Sequence, residues 1–211
     1  TFISLYFLKS LSYHVNKLQN NKKGLWQMVI NPQHDCKWTY TDDVLCIQLT
    51  ADDGNTYTMK TYYHVSELKE LPQENSPFLI KDAALLTSYQ EGLERVLSNE
   101  ECALQLGMNA VACQMFTGPA CPTSRYFYEN NTGEFVSNEE GSLVTVYAKN
   151  GERGTCMVLQ DCDSDGLVRL MLLSKELVLD KKSSRGYSVG MMIRVSRRCL
   201  WTYRYRKVRY A

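Results

Sequence analysis

Residues 142–173 read SLVTVYAKNGERGTCMVLQDCDSDGLVRLMLL. Apolar side chains recur at every second position over Ser142–Lys149, Thr155–Gln160 and Leu167–Leu173. That is the period of a strand with one face buried. The first gap holds Asn150-Gly151-Glu152-Arg153-Gly154 and the second holds Asp163-Ser164-Asp165-Gly166. Glycine in each supplies the positive φ of a tight hairpin. The stretch predicts three consecutive antiparallel strands.

The same rhythm extends outward. Tyr187–Ser196 and Cys199–Tyr210 predict two strands downstream. Arg125–Tyr128 and Glu134–Val136 predict two upstream, around Asn130-Asn131-Thr132-Gly133. Short strands joined by Gly-containing turns read as a meander or a small closed barrel, and closure would remove exposed edges. By fold analogy this half is of the SH3-like, Tudor-like or OB-like sort, which does not fix function.

Before residue 120 the period changes. Leu5, Leu8, Leu11, Val15 and Leu18 predict an amphipathic helix over 2–19, stopped at Gly24. Leu25–Ile30 is a short apolar run that reads as a strand. Val44–Thr50 and Thr56–Val65 predict a hairpin through Asp53-Gly54. Asp82 is the expected N-cap of a helix through Leu97, with Leu85, Tyr89, Leu93 and Val96 on one face. Ser98 and Glu101 form a capping-box pattern for another helix, with Leu104, Met108, Val111 and Met115 as its stripe. The expected architecture is therefore α+β. Residues 1–120 form an α+β part and 121–211 a β-rich, barrel-like part, with no Ser/Gly/Pro-rich linker between them.

Charge is distributed unevenly along the 211 residues. The last 31, from Lys181, carry ten of the 24 Lys and Arg and no Asp or Glu. A formal net charge of +1 thus hides a basic end and an acidic body. Such asymmetry speaks to partners and steering, not to fold. If Cys199–Tyr210 is a strand, Trp201, Tyr203 and Tyr205 share a face with Lys207 and Arg209, opposite Arg204 and Arg206. Rings beside guanidinium groups suit single-stranded nucleic acid, where bases stack and cations neutralise phosphates. The leading expectation is a non-catalytic module binding RNA or single-stranded DNA through Arg197, Arg198, Trp201, Tyr203, Arg204, Tyr205, Arg206, Lys207 and Arg209. The alternative is a structural or scaffold subunit whose basic end docks on an acidic protein, in a larger complex. An enzyme of unknown class is a third reading.

Other motifs are weaker. Asp161-Cys162-Asp163-Ser164-Asp165-Gly166 resembles the opening of an EF-hand calcium loop, making Asp161, Asp163 and Asp165 metal candidates. Leu172 stands where the bidentate Glu belongs, and the flanks read as strands. Tyr40-Thr41-Asp42-Asp43 resembles the Y-x-D-D signature of reverse transcriptases, whose carboxylates hold two metal ions, but only Asp35 precedes it. His34, Cys36 and Cys46 lack zinc-site spacing, and His14 and His64 read as structural. There is no Walker loop, G-x-S-x-G, H-E-x-x-H or G-x-G-x-x-G, so no cofactor is expected. Eight cysteines at no close spacing, several inside apolar runs, read as reduced and buried. TFISLYFL is apolar but too short to span a bilayer. These features point to an intracellular protein, cytoplasmic or nuclear, with secretion as the alternative if the cysteines pair.

Overall fold

The computed structural model describes residues 35–50, 54–95, 97, 99–118, 120–180 and 185–204. The expected helix over 2–19 and strand over 25–30 lie outside them, as do Tyr205, Arg206, Lys207 and Arg209. The described chain is α+β, with antiparallel sheets and two α-helices. One unit takes the described residues up to Gln90 together with Asn99–Gly118. The other takes residues 91–98 and those from 119 onward.

In the first unit, β1 (Cys36–Thr41), β2 (Val44–Thr50) and β3 (Thr56–His64) form a sheet in that order. Trp38 opposes Ile47 and Tyr40 opposes Leu45 across β1 and β2. The turn between them is Asp42-Asp43, with φ of 52° and 59°. Aspartate tolerates this left-handed region better than most residues, and two such residues in succession give the twist a hairpin needs. The segment after β3 returns to cover the edge of β1. Trp38 N–H donates to Ser76 O at 2.9 Å, and Phe78 N–H to Cys36 O at 3.0 Å.

Helix α1 spans Ile80–Glu94 and α2 spans Glu100–Phe116. Asp82 is not the cap expected from the sequence. It lies in the first turn, where its Oδ2 accepts from Leu79 N–H at 3.0 Å and from Trp38 Nε1–H at 3.4 Å. The N-cap of α2 is Asn99, which accepts from Cys102 N–H at 3.2 Å, one residue beyond the expected Ser98. Leu104, Met108 and Val111 are buried as expected, but so are Leu106, Ala110 and Cys113, so α2 is enclosed well beyond one stripe.

In the second unit β4 (Leu143–Tyr147), β5 (Arg153–Gln160) and β6 (Leu167–Leu172) form the expected meander. Gly151 makes the first turn at φ 90°. β7 (Glu176–Asp180) and β8 (Arg185–Ser188) pair with each other as a separate two-stranded sheet among the described residues. β9 (Met192–Ser196) then pairs with β6, and β10 (Trp201–Thr202) with β4. Sheet order is β10-β4-β5-β6-β9. Val144, Val146, Cys156, Val158, Leu170 and Ile193 alternate onto one buried face.

Four expected features of this half differ in the structure. The sheet is not a closed barrel, because β9 and β10 do not meet. Pro122 and Thr123 occupy the outer edge of β9 instead, with Thr123 N–H donating to Arg194 O at 2.9 Å. Arg125–Tyr128 is a 3₁₀ turn (Ser124–Tyr126) followed by a single bridge, and Glu134–Val136 is not a strand. Tyr187–Ser196 is two strands with a turn at Val189–Gly190. No helix among the described residues is long and apolar enough to cross a membrane.

Candidate functional site

The edge of β4 away from β5 has two occupants lying end to end. Trp201 opposes Thr145 and Thr202 opposes Val144. Further along, Phe127 bridges Ala148, and Tyr128 N–H donates to Tyr147 O at 2.9 Å. The segments 124–130 and 196–202 are thereby brought side by side. Ser196 N–H donates to Ser124 Oγ at 2.7 Å. Asn130 N–H donates to Arg198 O at 2.6 Å, and its Nδ2 donates to Leu200 O at 3.0 Å. The asparagine of the Asn130-Asn131-Thr132 triplet therefore pins the basic segment to the sheet.

This framework decides what each arginine can do. Arg197 and Arg198 sit on a 3₁₀ turn (Arg197–Cys199), exposed and in no ion pair among the described residues. Arg204 is 80% exposed on its side chain, but its Nη2 pairs with Glu134 Oε1 at 3.0 Å. Arg194 is consumed by Asp163 Oδ2 and Asp165 Oδ2, at 2.5 and 2.8 Å. Two upstream cations join the patch that sequence reasoning did not assign to it. Arg125 lies over the Tyr126 ring, 4.9 Å from its centroid, and Lys149 N–H donates to Tyr126 O at 2.9 Å. Both are exposed. No local pattern marks them, because tertiary pairing with β4 puts them there.

The aromatic residues do not form an open stack. Trp201 is partly buried, edge-on to Tyr147 at 5.2 Å and 82°. Its Nε1 is buried with no acceptor among the described residues. Leu200 before it is 1% exposed in the core. Tyr203 is partly buried. Base stacking needs a ring face free to receive a base, and the Trp201 ring is partly buried against Tyr147.

The other candidate residues are engaged elsewhere. Asp163 Oδ1 accepts from the N–H groups of Asp165 and Leu167 at 2.9 and 3.0 Å. Asp161 accepts from Asn138 Nδ2. Arg194 supplies the positive charge to which the Asp163-Ser164-Asp165 turn is fitted. Among the described residues no group of three metal-ligating side chains converges. The backbone N–H of Leu167 first, and then Arg194, holds the Asp163 carboxyl below its ordinary value of 3.8. A depressed carboxylate stabilises the fold above its unfolded-state pKa and loses that contribution as pH falls through the folded one. Asp163→Asn is therefore expected to lower stability at neutral pH. The gap to wild type should vanish on acidification below the ordinary carboxylate range, in urea titrations run across pH. A gap that persists unchanged in acid would show that the charge is not what stabilises the turn.

Asp42 pairs with Lys60 at 2.7 Å on the exposed β1–β2 turn, so the Tyr40–Asp43 motif is a hairpin turn and not a metal dyad. His64 is exposed, and His34 lies outside the described residues. Cys36 opposes Leu49, and Cys46 lies three residues from Leu49, so the two thiols sit on opposite faces of the sheet. All eight cysteines are free thiols, and only Cys121 and Cys162 are exposed. Burial, with Asp35 adding to it, pushes the Cys36 thiol up to about 12; burial and Glu129 push Cys199 to about 11. Such thiols stay protonated at neutral pH and are poor nucleophiles.

No family model matches the chain. It is 28% identical over 100 residues to the cell division protein ZapC of Proteus mirabilis, a match covering 47% of this chain and 54% of that protein. The chain thus spans about half the length of that relative. It is 26% identical over 155 residues to the cell division protein ZapC of Musicola paradisiaca, covering 74% of this chain and 81% of the relative. It is 29% identical over 136 residues to the ZapC of Aeromonas hydrophila, covering 63% and 72%. These names overturn the expectation of RNA or single-stranded DNA binding. What the chain is similar to is a set of proteins named for cell division.

Proposed function

We propose that this chain is a non-catalytic subunit acting in cell division, which binds a protein partner by setting its basic C-terminal segment against an acidic surface. The relatives' shared name supplies the process. The observation that carries the docking reading is the pair Arg197 and Arg198. They are exposed and make no ion pair among the described residues, although Arg197 feels the charge of Asp161. Their turn is one that Asn130 and Ser124 hold in place, while Arg194 and Arg204 are neutralised from within. Complementary charge of this kind speeds encounter and rejects wrong partners more than it adds raw affinity. The chain would work inside the dividing cell, and nothing in the relatives' names supports a nuclear or secreted protein. A boundary near residue 120, leaving the docking residues in a separate C-terminal domain, belongs to the same proposal.

The test is a fluorescent fusion of the full chain in dividing cells of its own organism. A band at the division site is expected. Arg197→Glu with Arg198→Glu should turn the band into diffuse fluorescence. The unfolding midpoint of the purified variant should stay unchanged, since both side chains are exposed. A fusion that is diffuse from the start, or a double variant that keeps the band, would overturn the reading.

A further inference from the structure

We propose that Phe135 is the apolar anchor of this docking surface, and that the partner presents an acidic segment with apolar side chains interspersed. The proposal rests on the protein-docking reading above. Among the described residues Phe135 is the most exposed large apolar side chain, at 80%. Its exposure does not come from a loose loop. On one side Glu134 is held by Arg204 Nη2 at 3.0 Å and by Thr202 Oγ1 at 3.4 Å. On the other side Val136 packs against the core of the second unit, and Ser137 Oγ bonds Ser142 Oγ at 2.9 Å. Asn138 Nδ2 donates to Asp161. With both neighbours tied down, Phe135 is left outside.

Its position relative to the cations follows from the same bonds. Asn130 meets the carbonyls of Arg198 and Leu200, and Glu134 meets Thr202 and Arg204. Residues 130–134 therefore run alongside 198–204 in the same direction, and Phe135 comes directly after the basic segment. Tyr128, 49% exposed, stands at the other end of that run. An aromatic side chain kept in water leaves apolar area to be buried, and aromatic side chains are enriched at the centres of interfaces while charges collect at the rim. Here the rim is Arg125, Lys149, Arg197 and Arg198, which Glu129 and Asp161 offset only in part. An apolar anchor in a cationic rim selects an acidic polypeptide with apolar residues over a purely acidic one.

The experiment titrates the full chain with two fluorescent probes at equal carboxylate concentration: poly-glutamate and a random glutamate–tyrosine copolymer. Wild type is expected to bind the copolymer about tenfold more tightly, the ratio that partial burial of one aromatic side chain supplies. Phe135→Ala should remove that preference and leave poly-glutamate binding as it was. Arg197→Ala with Arg198→Ala should weaken both. Equal affinity of wild type for the two probes would overturn the anchor, as would a preference that survives in Phe135→Ala. If wild type binds neither probe, or the double arginine variant binds both as wild type does, the docking reading itself fails and the anchor with it.

Discussion

Trp38→Ala is expected to lower the unfolding free energy by about 3–5 kcal/mol, the range for truncating a buried Trp or Phe to alanine. Trp38 is 2% exposed. Its ring stacks on Phe78 at 4.6 Å and 23°, and meets Phe116 edge-on at 4.8 Å and 90°. One substitution thus opens a cavity lined by two further aromatic rings from different parts of the first unit. It also removes the Nε1–H donor from Asp82, whose Oδ1 is already buried without a partner among the described residues. That leaves Leu79 N–H as the bond to Oδ2. Trp38→Phe separates the two effects. It keeps an aromatic ring and loses the hydrogen bond, so its cost should be distinctly smaller. Urea unfolding followed by circular dichroism reads both without relying on tryptophan emission. A loss below about 1 kcal/mol for Trp38→Ala, the cost of an ordinary point substitution, would mean that this aromatic cluster does not anchor the unit.

The Trp38 strand is also where sequence reading fell short. Cys36-Lys37-Trp38-Thr39-Tyr40-Thr41 alternates as a strand should, but its turn, Asp42-Asp43, has no glycine. A hairpin made by two left-handed aspartates is not recognised by looking for Gly or Asn-Gly. β2 and β3 were legible because β branching and apolar periodicity agree there. The β4–β6 meander was legible because glycine turns separate its strands. β7 was missed because it follows the 167–173 run after only a short turn. The barrel was wrong for another reason. Local pattern gives strands and turns, but whether two edges meet depends on what else covers them. Pro122, Thr123 and the Phe127 bridge cover edges here from far away in sequence.

The site was legible in composition and not in geometry. The excess of cations in the last 31 residues is real, and it led to both a nucleic-acid and a protein-docking reading. Face assignment assumed one strand over Cys199–Tyr210, whereas the strand among the described residues is Trp201–Thr202. Which arginines remain available turns on Glu134, Asp163 and Asp165, three carboxylates that no spacing rule connects to Arg204 and Arg194. A strand over Glu134–Val136 would account for Phe135 by alternation, and only the absence of that strand makes its exposure distinctive.

Gly92→Ala sets two effects against each other, and the structure decides the sign. Inside a helix alanine is favoured over glycine by about 1 kcal/mol, so propensity alone makes the change stabilising. A Cβ at Gly92, however, would overlap Gly141 O and lie 3.2 Å from Gly141 C. Both are backbone atoms, so no side chain can rotate away. Gly141 itself cannot yield easily. Its N–H donates to Val158 O at 2.9 Å, and Val158 N–H returns to Ser142 O at 2.9 Å, which ties the backbone on both sides of the Gly141 carbonyl to β5. Overpacking of this kind costs typically about 1–3 kcal/mol, and contact with fixed backbone belongs at the upper end. The net expectation is a loss of about 2 kcal/mol, read as a lower urea midpoint with an unchanged slope. Glu91→Ala, at an exposed position one residue earlier, is the control and should stay within about 0.5 kcal/mol of wild type. If Gly92→Ala proved more stable than wild type, the end of α1 would have to stand away from the 141–142 turn. Close approach would then not be the reason a glycine occupies that helix position.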